Sequence, residues 1–158
     1  MERSIGRMIT LLARKSQSYI SYALSKYNLT AAEQPFFMAL QQYEGITQEE
    51  LTALVCVDKA ATARAVQSLE KKGFLIRRQD PNDKRQNLVY PTDQARQLGG
   101  TVKHELLHFN SLLTEGIDPQ DLKQVYGALL KMDENFSRIL NCKNILATNG
   151  EEKYGTSK

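Results

Sequence analysis

The sequence has few of the features that mark membrane, exported or disulfide-stapled proteins. No apolar run approaches the ~18 residues of a membrane-spanning helix. The N-terminal stretch MITLLA is short, and Arg14 and Lys15 follow it at once, unlike in a cleaved signal peptide. The two cysteines, Cys56 and Cys142, lie far apart and form no CxxC pair. We therefore expect a cytoplasmic protein in a reducing environment, with no membrane partner.

Net positive charge is scarce outside one window. The formal net charge of the 158-residue chain is only +3. Between Val57 and Gln86 the sequence holds eight basic and four acidic residues, so this window is more positive than the whole chain. Such a patch is the electrostatic footprint expected of contact with nucleic acid.

The N-terminal part of the chain predicts two helices. From Glu2 to Tyr27, apolar residues recur at helical spacing. Thr30 with Glu33 then forms a capping-box pattern for a second helix that runs to about Tyr43. The regular part of that helix is expected to begin nearer Gln34, because proline in a helix interior would cost a backbone hydrogen bond.

The centre of the chain predicts two shorter helices joined by a tight turn. Thr47 and Glu50 form a capping box that opens the helix QEELTALV. After a break at Cys56, Asp58 is the expected N-cap of KAATARAVQSLEKK, which Gly73 stops. This is the plan of a helix-turn-helix, although a plain helical hairpin with a solvated charged face fits the same pattern.

Two short apolar runs follow, FLIRR at 74–78 and NLVY at 87–90, and each predicts a β-strand. The charged stretch QDPNDKRQN between them is then the tip of a β-hairpin. By composition alone it is typical of a solvated turn. The hairpin directly follows the second helix of the helix-turn-helix, so the whole segment is predicted to be a winged helix-turn-helix.

Two long helices are predicted after the hairpin. Thr92 caps the first, and Asp118 followed by Pro119 opens the last in the usual order of cap and proline. The polar, glycine-containing residues 143–158 predict a flexible tail. The apolar stripe of the last helix alternates spacings of three and four, as in a helix packed along another helix, and comprises Leu122, Val125, Leu129, Met132, Phe136 and Ile139.

The order of these elements resembles the MarR family of bacterial transcription regulators. The resemblance is sharpest over VDKAATARAVQSLEKKGFLIRRQDPNDKRQNLVYPT, where the wing has the form D-x-x-D-x-R at Asp80, Asp83 and Arg85. It implies a mostly α fold with a small β-hairpin. In that fold, a winged helix-turn-helix DNA-binding domain (30–92) is flanked by N- and C-terminal dimerisation helices (1–29 and 93–142).

The chain departs from the family pattern at the helix that would read DNA. Cys56 stands where the preceding turn often carries Gly, and Ala60, Ala61 and Ala63 stand where Ser or Thr is frequent. Fewer hydroxyls leave fewer hydrogen-bond donors for bases and phosphates. The operator sequences of relatives therefore cannot be carried over to this chain.

We predict DNA contacts from the polar residues of this recognition helix, namely Lys59, Thr62, Arg64, Gln67 and Lys71. An α-helix fits the major groove, where Arg pairs with guanine and Gln with adenine through two-point contacts. Lys59, near the helix start, is better suited to a phosphate. The alternative for Arg64 is a surface salt bridge with a neighbouring acid.

In the wing, Asp83, Lys84 and Arg85 are the predicted DNA contacts. The narrow minor groove over A·T tracts favours an inserted Arg, and Arg85 at the tip of a two-stranded ribbon has the reach. We expect Asp83 to hold the guanidinium of Arg85 by a charge-assisted pair, and Lys84 to contact the DNA backbone.

The long terminal helices predict a homodimer, because a single module covers few base pairs. Pairing across a two-fold axis would set two recognition helices about 34 Å apart on a palindromic, double-stranded operator. The resemblance implies a repressor relieved by a small aromatic or anionic effector, or by a redox change. The candidate pocket residues are Tyr19, Phe36, Tyr43 and His104. No cofactor is expected.

The stretch HELLH, from His104 to His108, competes with this interpretation. In zinc proteases the two His of H-E-x-x-H bind the metal and the Glu activates water. Against a metal site, the sequence offers no third His, and the helix belongs to the predicted dimer scaffold. The alternative hypothesis is a zinc-responsive regulator or a metalloprotein that uses HELLH.

Two further alternatives concern the helix-turn-helix itself. Cys56 lies just before a helix N-terminus, which would favour a thiolate, and is therefore the candidate redox residue; a small residue of the turn is the simpler interpretation. A winged helix used only for protein contacts is the remaining hypothesis.

Overall fold

The computed structural model describes residues 4–140. Within that range it has six α-helices and a small three-stranded sheet, which confirms the expected mostly α fold. Each of these helices is too short or too polar to cross a lipid bilayer. The elements in chain order are α1 (Ile5–Ser25), α2 (Gln34–Leu40), β1 (Ile46–Thr47), α3 (Gln48–Val55), α4 (Lys59–Lys71), β2 (Leu75–Gln79), β3 (Asn87–Pro91), α5 (Asp93–Thr114) and α6 (Pro119–Leu140).

The helix starts in the helix-turn-helix follow from side-chain caps. The Thr47 hydroxyl accepts from the Glu50 amide at 3.1 Å, and the Glu50 carboxylate accepts from the Thr47 amide at 2.8 Å. This reciprocal capping box opens α3, as the sequence predicts. At the start of α4, Asp58 Oδ1 accepts from the Ala61 amide at 2.7 Å, so Asp58 is the expected N-cap.

The second helix is shorter than its capping pattern suggests. Thr30 and Glu33 do exchange the two bonds of a capping box, at 2.9 and 3.3 Å. The regular helix nevertheless begins only at Gln34, with Pro35 in its first turn, as the proline argument indicated. It ends at Leu40 and not near Tyr43, because the chain leaves the helix through a turn at residues 41–42.

One strand escaped sequence-based prediction. β1 has only two residues, too few to show the alternation that marks a strand, and it pairs antiparallel with β3 through Ile46–Val89 and Thr47–Leu88. The expected hairpin of β2 and β3 is present on the other side of β3. Its first strand begins at Leu75 and not at Phe74, whose backbone amide donates to the Leu69 carbonyl of α4 at 2.9 Å.

The chain divides into two compact units, Met1–Leu113 and the part that begins at Thr114. The first unit contains the hydrophobic core, to which all of α1–α5 and the sheet contribute. Phe37 of α2 and Phe74 meet edge to face with their ring centroids 5.5 Å apart. Leu51, Val66 and Leu69 pack the helix-turn-helix onto this core, each with its side chain fully buried.

Of the second unit, the structure describes residues 114–140. Gly116 adopts a positive φ of 76°, and Asp118 Oδ1 accepts from the Gln120 amide at 2.8 Å at the start of α6. The predicted apolar stripe of α6 is largely exposed in the single chain, with Phe136 at 58% and Ile139 at 76%. The predicted flexible tail at 143–158 and Cys142 lie outside the described residues.

Candidate nucleic-acid interface

The outer face of α4 carries most of the DNA contacts that the sequence predicts for this helix. Lys59, Arg64, Gln67 and Lys71 are all exposed. Arg64 and Gln67 are three residues apart, so they lie on adjacent turns of one face. Among the described residues no ion pair engages Arg64, whereas Lys59 forms an exposed ion pair with Glu49 of α3 at 3.1 Å.

Thr62 is the exception, and its prediction as a DNA contact is wrong. Its side chain is on the core face of α4, with 0% of its surface exposed. The hydroxyl donates to the carbonyl of Asp58 at 3.1 Å, one turn earlier in the helix. Thr62 lies on the same inner face of the helix as Ala65, Val66 and Leu69, so it cannot reach a ligand outside the protein.

The C-terminal end of α4 is held by ionic contacts on two sides. Glu70 pairs with Arg77 of β2 at 3.0 Å, which links the helix to the wing. Lys72, at the C-cap, donates to both carboxylate oxygens of Glu33 at 2.8 and 2.7 Å. Ser68 donates to the same carboxylate at 2.5 Å.

Glu33 is a buried acid, with only 4% of its surface exposed. Burial would raise the pKa of its carboxyl, but hydrogen bonds from Lys72, Ser68 and Thr30 favour the charged form. The net effect is a pKa below the ordinary value. A fully hydrogen-bonded buried carboxylate is the arrangement expected where a charge must be kept inside a fold.

The wing tip is a closed, hydrogen-bonded turn. The Asp80 amide donates to the Gln86 carbonyl at 3.0 Å, directly beyond the last strand pair, Gln79–Asn87. The Gln79 side-chain amide reaches across to the Lys84 carbonyl at 2.7 Å. Lys84 and Arg85 are exposed on this tip. The tip therefore presents its two cations on an ordered backbone.

Asp83 orders the tip, but not in the expected way. Its Oδ1 accepts from the backbone amide of Arg85 at 3.0 Å, and its Oδ2 accepts from the side-chain amide of Gln86 at 2.9 Å. The contacts described for this carboxylate do not include the guanidinium of Arg85. Asp83 thus fixes the direction of the backbone at Arg85 and leaves the guanidinium available for a partner.

Several contributors to this surface were missed from the sequence. Gln79 and Gln86 carry side-chain bonds of the tip, and Arg78 lies over the ring of Tyr90, with 5.4 Å to the centroid. Glu33 lies 35 and 39 residues before its partners Ser68 and Lys72, and the sequence predicted for it only a role in a capping box. Long-range side-chain pairs of this kind leave no periodic signal in a sequence.

The HELLH stretch lies on α5 with its glutamate already engaged. Glu105 accepts from the Tyr27 hydroxyl at 2.9 Å and pairs with Lys26 at 2.7 Å. These hydrogen bonds, led by that from Lys26, lower the pKa of Glu105. His104 and His108 are exposed. The described residues contain no group of three His, Cys, Asp or Glu side chains able to hold a metal ion.

The four candidate effector-pocket residues have different surroundings. Phe36 is a core residue with 3% exposure, and it does not line the cleft described below. Tyr19 is half-buried and stacks on Phe109 with centroids 5.2 Å apart. Tyr43 is half-buried and His104 is exposed.

The first unit has a cleft of about 490 Å³ that is not lined by the predicted effector residues. Its walls come from the ends of α1 and α4 and from the first turns of α5. It includes none of the four candidate effector residues. The residues that line it are Lys26, Tyr27, Asn28, Lys72, Phe74, Gln94, Gln97, Leu98 and Thr101.

Cys56 is exposed and has a left-handed backbone, with φ 55° and ψ 47°, at the C-cap of α3. Residues other than Gly and Asn adopt this conformation at a cost. The left-handed conformation is the one that Gly adopts most readily, and in this chain Cys56 adopts it.

Comparisons with known proteins point to one protein family. The model of the MarR family matches residues 30–86, which span α2 through most of the wing. The multiple antibiotic resistance protein MarR of Escherichia coli K12 is 32% identical over 113 residues. That alignment covers 67% of this chain and 78% of the relative.

Solved structures show the same architecture. A MarR transcriptional regulator from Methanosarcina mazei Go1 has a TM-score of 0.80 and 31% identity, covering 85% of this chain and 97% of that one. A MarR-family regulator from Listeria monocytogenes, solved with a 26-mer DNA, has a TM-score of 0.81 and 25% identity. It covers 98% of this chain and 100% of its own.

Proposed function

This chain belongs to the MarR family of transcriptional regulators, and from that premise we propose that it is a homodimeric repressor that binds a palindromic DNA operator in the cytoplasm. The exposed face of α4 enters the major groove. Arg64 and Gln67 contact base edges, while Lys59 and Lys71 contact the sugar-phosphate backbone. The wing places Arg85 in the adjacent minor groove and Lys84 on its phosphates.

One observation carries this proposal above the others. Four exposed polar side chains on one helix and two exposed cations on an ordered hairpin tip belong to adjacent elements, which Glu70 and Arg77 link directly. A major-groove helix beside a minor-groove ribbon needs such a fixed pair of elements. The DNA-bound relative from Listeria monocytogenes, with the same fold, supports this use of the surface.

Dimerisation is supported by the apolar surface that the single chain leaves exposed. On α1, Ile5 and Met8 are 58% and 50% exposed, and α6 exposes most of its stripe. Large apolar patches of this kind on a soluble chain mark an interaction surface. The domain division follows from the same reasoning, with 30–92 contacting DNA and the helices of 1–29 and 93–142 pairing the protomers.

Control by a small aromatic or anionic effector, or by a redox change, is the final part of the proposal and rests on the family. Aromatic carboxylates titrated onto a preformed protein–DNA complex would test it directly. Release of the DNA at ligand concentrations that leave the protein folded supports effector control. Retention of the complex throughout counts against this class of effector.

DNA binding itself is tested with a duplex taken from the region upstream of the protein's own gene, against a scrambled duplex of equal composition. We expect tighter binding to the genomic duplex. With about 6–10 phosphate contacts, affinity should fall about 10³- to 10⁵-fold between roughly 50 and 200 mM salt. Equal affinity for both duplexes at low salt, also for duplexes selected from random sequence, would exclude sequence-specific recognition.

A further inference from the structure

One buried carboxylate fastens the end of α4 to the segment between α1 and α2. The four hydrogen bonds to Glu33 come from the Thr30 amide, the Ser68 hydroxyl and, twice, the Lys72 ammonium, at 2.5–2.9 Å. The Lys72 and Glu33 side chains are only 19% and 6% exposed. We name this group, formed by Thr30, Glu33, Ser68 and Lys72, the Glu33 clamp.

The clamp fixes the rotation of α4 about its own axis. Ser68 and Lys72 are four residues apart, so they lie on one face of the helix, and both point to the same carboxylate. Gln67 and Lys71 each precede a clamp residue by one position. One residue is about 100° of helical rotation, so holding Ser68 and Lys72 inward sets the direction of the Gln67 and Lys71 side chains.

Base recognition is more sensitive to this direction than phosphate contact. A two-point hydrogen bond to a base edge needs donor–acceptor distances of about 2.7–3.2 Å with good alignment. A lysine attracted to a phosphate tolerates displacement, since the attraction is not directional. Loosening the clamp should therefore weaken binding to a preferred DNA sequence more than binding to any other sequence.

We propose that Glu33 is a positioning residue for DNA recognition, acting through Ser68 and Lys72 to hold α4 in the orientation that reads bases. The proposal rests on the DNA-binding function proposed above and assigns to this chain a determinant of specificity that lies outside the contact surface. The pKa of Glu33, below its ordinary value, accords with a carboxylate that stays charged inside the clamp at neutral pH.

The experiment begins with the wild-type protein. A duplex is selected from a random pool by wild-type binding, and affinities for it and for a scrambled duplex are measured by fluorescence anisotropy. If the wild type selects no sequence, the proposed function itself fails before any variant is made. If it does, the same two affinities are measured for Glu33→Gln, Lys72→Met and Ser68→Ala.

We expect Glu33→Gln and Lys72→Met to bind the selected duplex on the order of tenfold more weakly, with a smaller loss for the scrambled duplex. Ser68→Ala removes one hydrogen bond from an uncharged donor and leaves the ion pair of Glu33 with Lys72, so it should give a smaller change in the same direction. The double variant of Glu33→Gln and Lys72→Met should lose no more than the worse single variant, because both break the same contact. Lys72→Arg should restore most of the preference.

Glu44→Gln is the matched control, since Glu44 forms an exposed ion pair with Arg96 away from α4. Thermal unfolding is recorded for every protein, and binding is measured where each is folded. A lower unfolding temperature with an unchanged ratio of the two affinities would reduce Glu33 to a purely structural role and overturn the proposal. An equal loss for both duplexes in Lys72→Met would likewise overturn it, because that pattern belongs to a simple phosphate contact. If Glu33→Gln does not fold, Lys72→Met and Ser68→Ala decide the outcome.

Discussion

The backbone amide of Arg85 donates to Oδ1 of Asp83 at 3.0 Å, so the acid orients the main chain of the wing tip and not the guanidinium. A carboxylate near DNA would normally repel phosphates. Here both of its oxygens are turned to donors within the tip, the second to the side-chain amide of Gln86. The acid therefore supports the placement of a cation beside it.

Because Asp83 acts as a hydrogen-bond acceptor, we expect two substitutions at this position to affect DNA binding differently. Asp83→Ala removes both acceptors, and we expect weaker DNA binding with a stability loss of about 1 kcal/mol or less, since the tip is solvent-exposed. Asp83→Asn keeps one acceptor oxygen and should retain most of the affinity. Anisotropy titrations of both variants against the wild type provide the check. Equal losses in the two variants would show that the charge, and not the turn geometry, is what matters.

Arg85→Ala tests the wing as a DNA contact. We expect lower affinity and a salt dependence of log Kd whose slope falls by about one unit, because one cation no longer displaces a counterion. Lys103→Ala, an exposed lysine of α5 outside the basic window, is the control and should leave the slope unchanged. Sedimentation of Arg85→Ala should show the oligomeric state of the wild type. Wild-type affinity and slope in this variant would argue against the wing model.

Arg64 and Thr62, two residues apart on α4, should behave in opposite ways. Arg64→Ala is expected to cost about 1–3 kcal/mol of binding to the preferred duplex, because an exposed Arg can form a two-point contact with guanine. Thr62→Val replaces a buried hydroxyl by a methyl group, with a stability change of about 1 kcal/mol or less and no change in affinity. The pair is measured by anisotropy and urea denaturation. Weaker DNA binding by a folded Thr62→Val protein would contradict the structure of this face.

The Glu33 carboxyl makes the stability of the fold depend on pH, and the direction follows from its lowered pKa. Burial raises its pKa, but the bonds from Lys72, Ser68 and Thr30 lower it by more, so the folded pKa is below the ordinary value. Its contribution to stability is therefore present above the unfolded pKa, about 4.3. That contribution is lost as pH falls through the lower, folded pKa.

We expect the unfolding free energy of the wild type to exceed that of Glu33→Gln by about 1–3 kcal/mol near neutral pH. This difference should shrink below about pH 4. Urea denaturation of the two proteins at a series of pH values measures it, and Glu44→Gln, at an exposed ion pair, should differ little from the wild type throughout. If the difference in unfolding free energy grew on acidification, the pKa of Glu33 would be raised in the folded protein and not lowered.

The apolar stripe of α6 is exposed, so dimerisation can be tested by substituting one charged residue into it. Phe136→Asp places a carboxylate in an apolar surface, and we expect a shift from dimer to monomer at micromolar concentration. Gln124→Asp adds the same charge at another exposed position of the same helix and should not shift it. Sedimentation velocity distinguishes the two. A wild-type protein that is monomeric at all concentrations would remove the basis of the proposed symmetric operator.

The elements could be predicted from the sequence where local chemistry fixes them. Asp58 and the Thr47–Glu50 box cap their helices within the same turn, and the helix starts of α3, α4 and α6 follow from residues adjacent in the chain. β1 could not be found this way. It is a strand only because β3 pairs with it from forty residues away.

The residues of the proposed DNA-binding surface could be predicted where helical periodicity shows which face of α4 is exposed. It placed Arg64 and Gln67 correctly on the surface. It put Thr62 on the exposed face, although a hydroxyl that bonds to the preceding turn allows a polar side chain to be buried. The Glu33 clamp and the true partners of Asp83 depend on side-chain directions in the folded chain, which periodicity does not contain.

The strand register of the wing has an evolutionary consequence. Pairing runs without interruption from Leu75–Pro91 to Gln79–Asn87, and residues 80–86 lie wholly beyond the last pair. Residues can be inserted, deleted or exchanged in that span without shifting any strand against its neighbour. The surroundings of α4 would then stay constant while the tip changes. The part of the surface that we propose for the minor groove can therefore diverge independently of the part that we propose for the major groove.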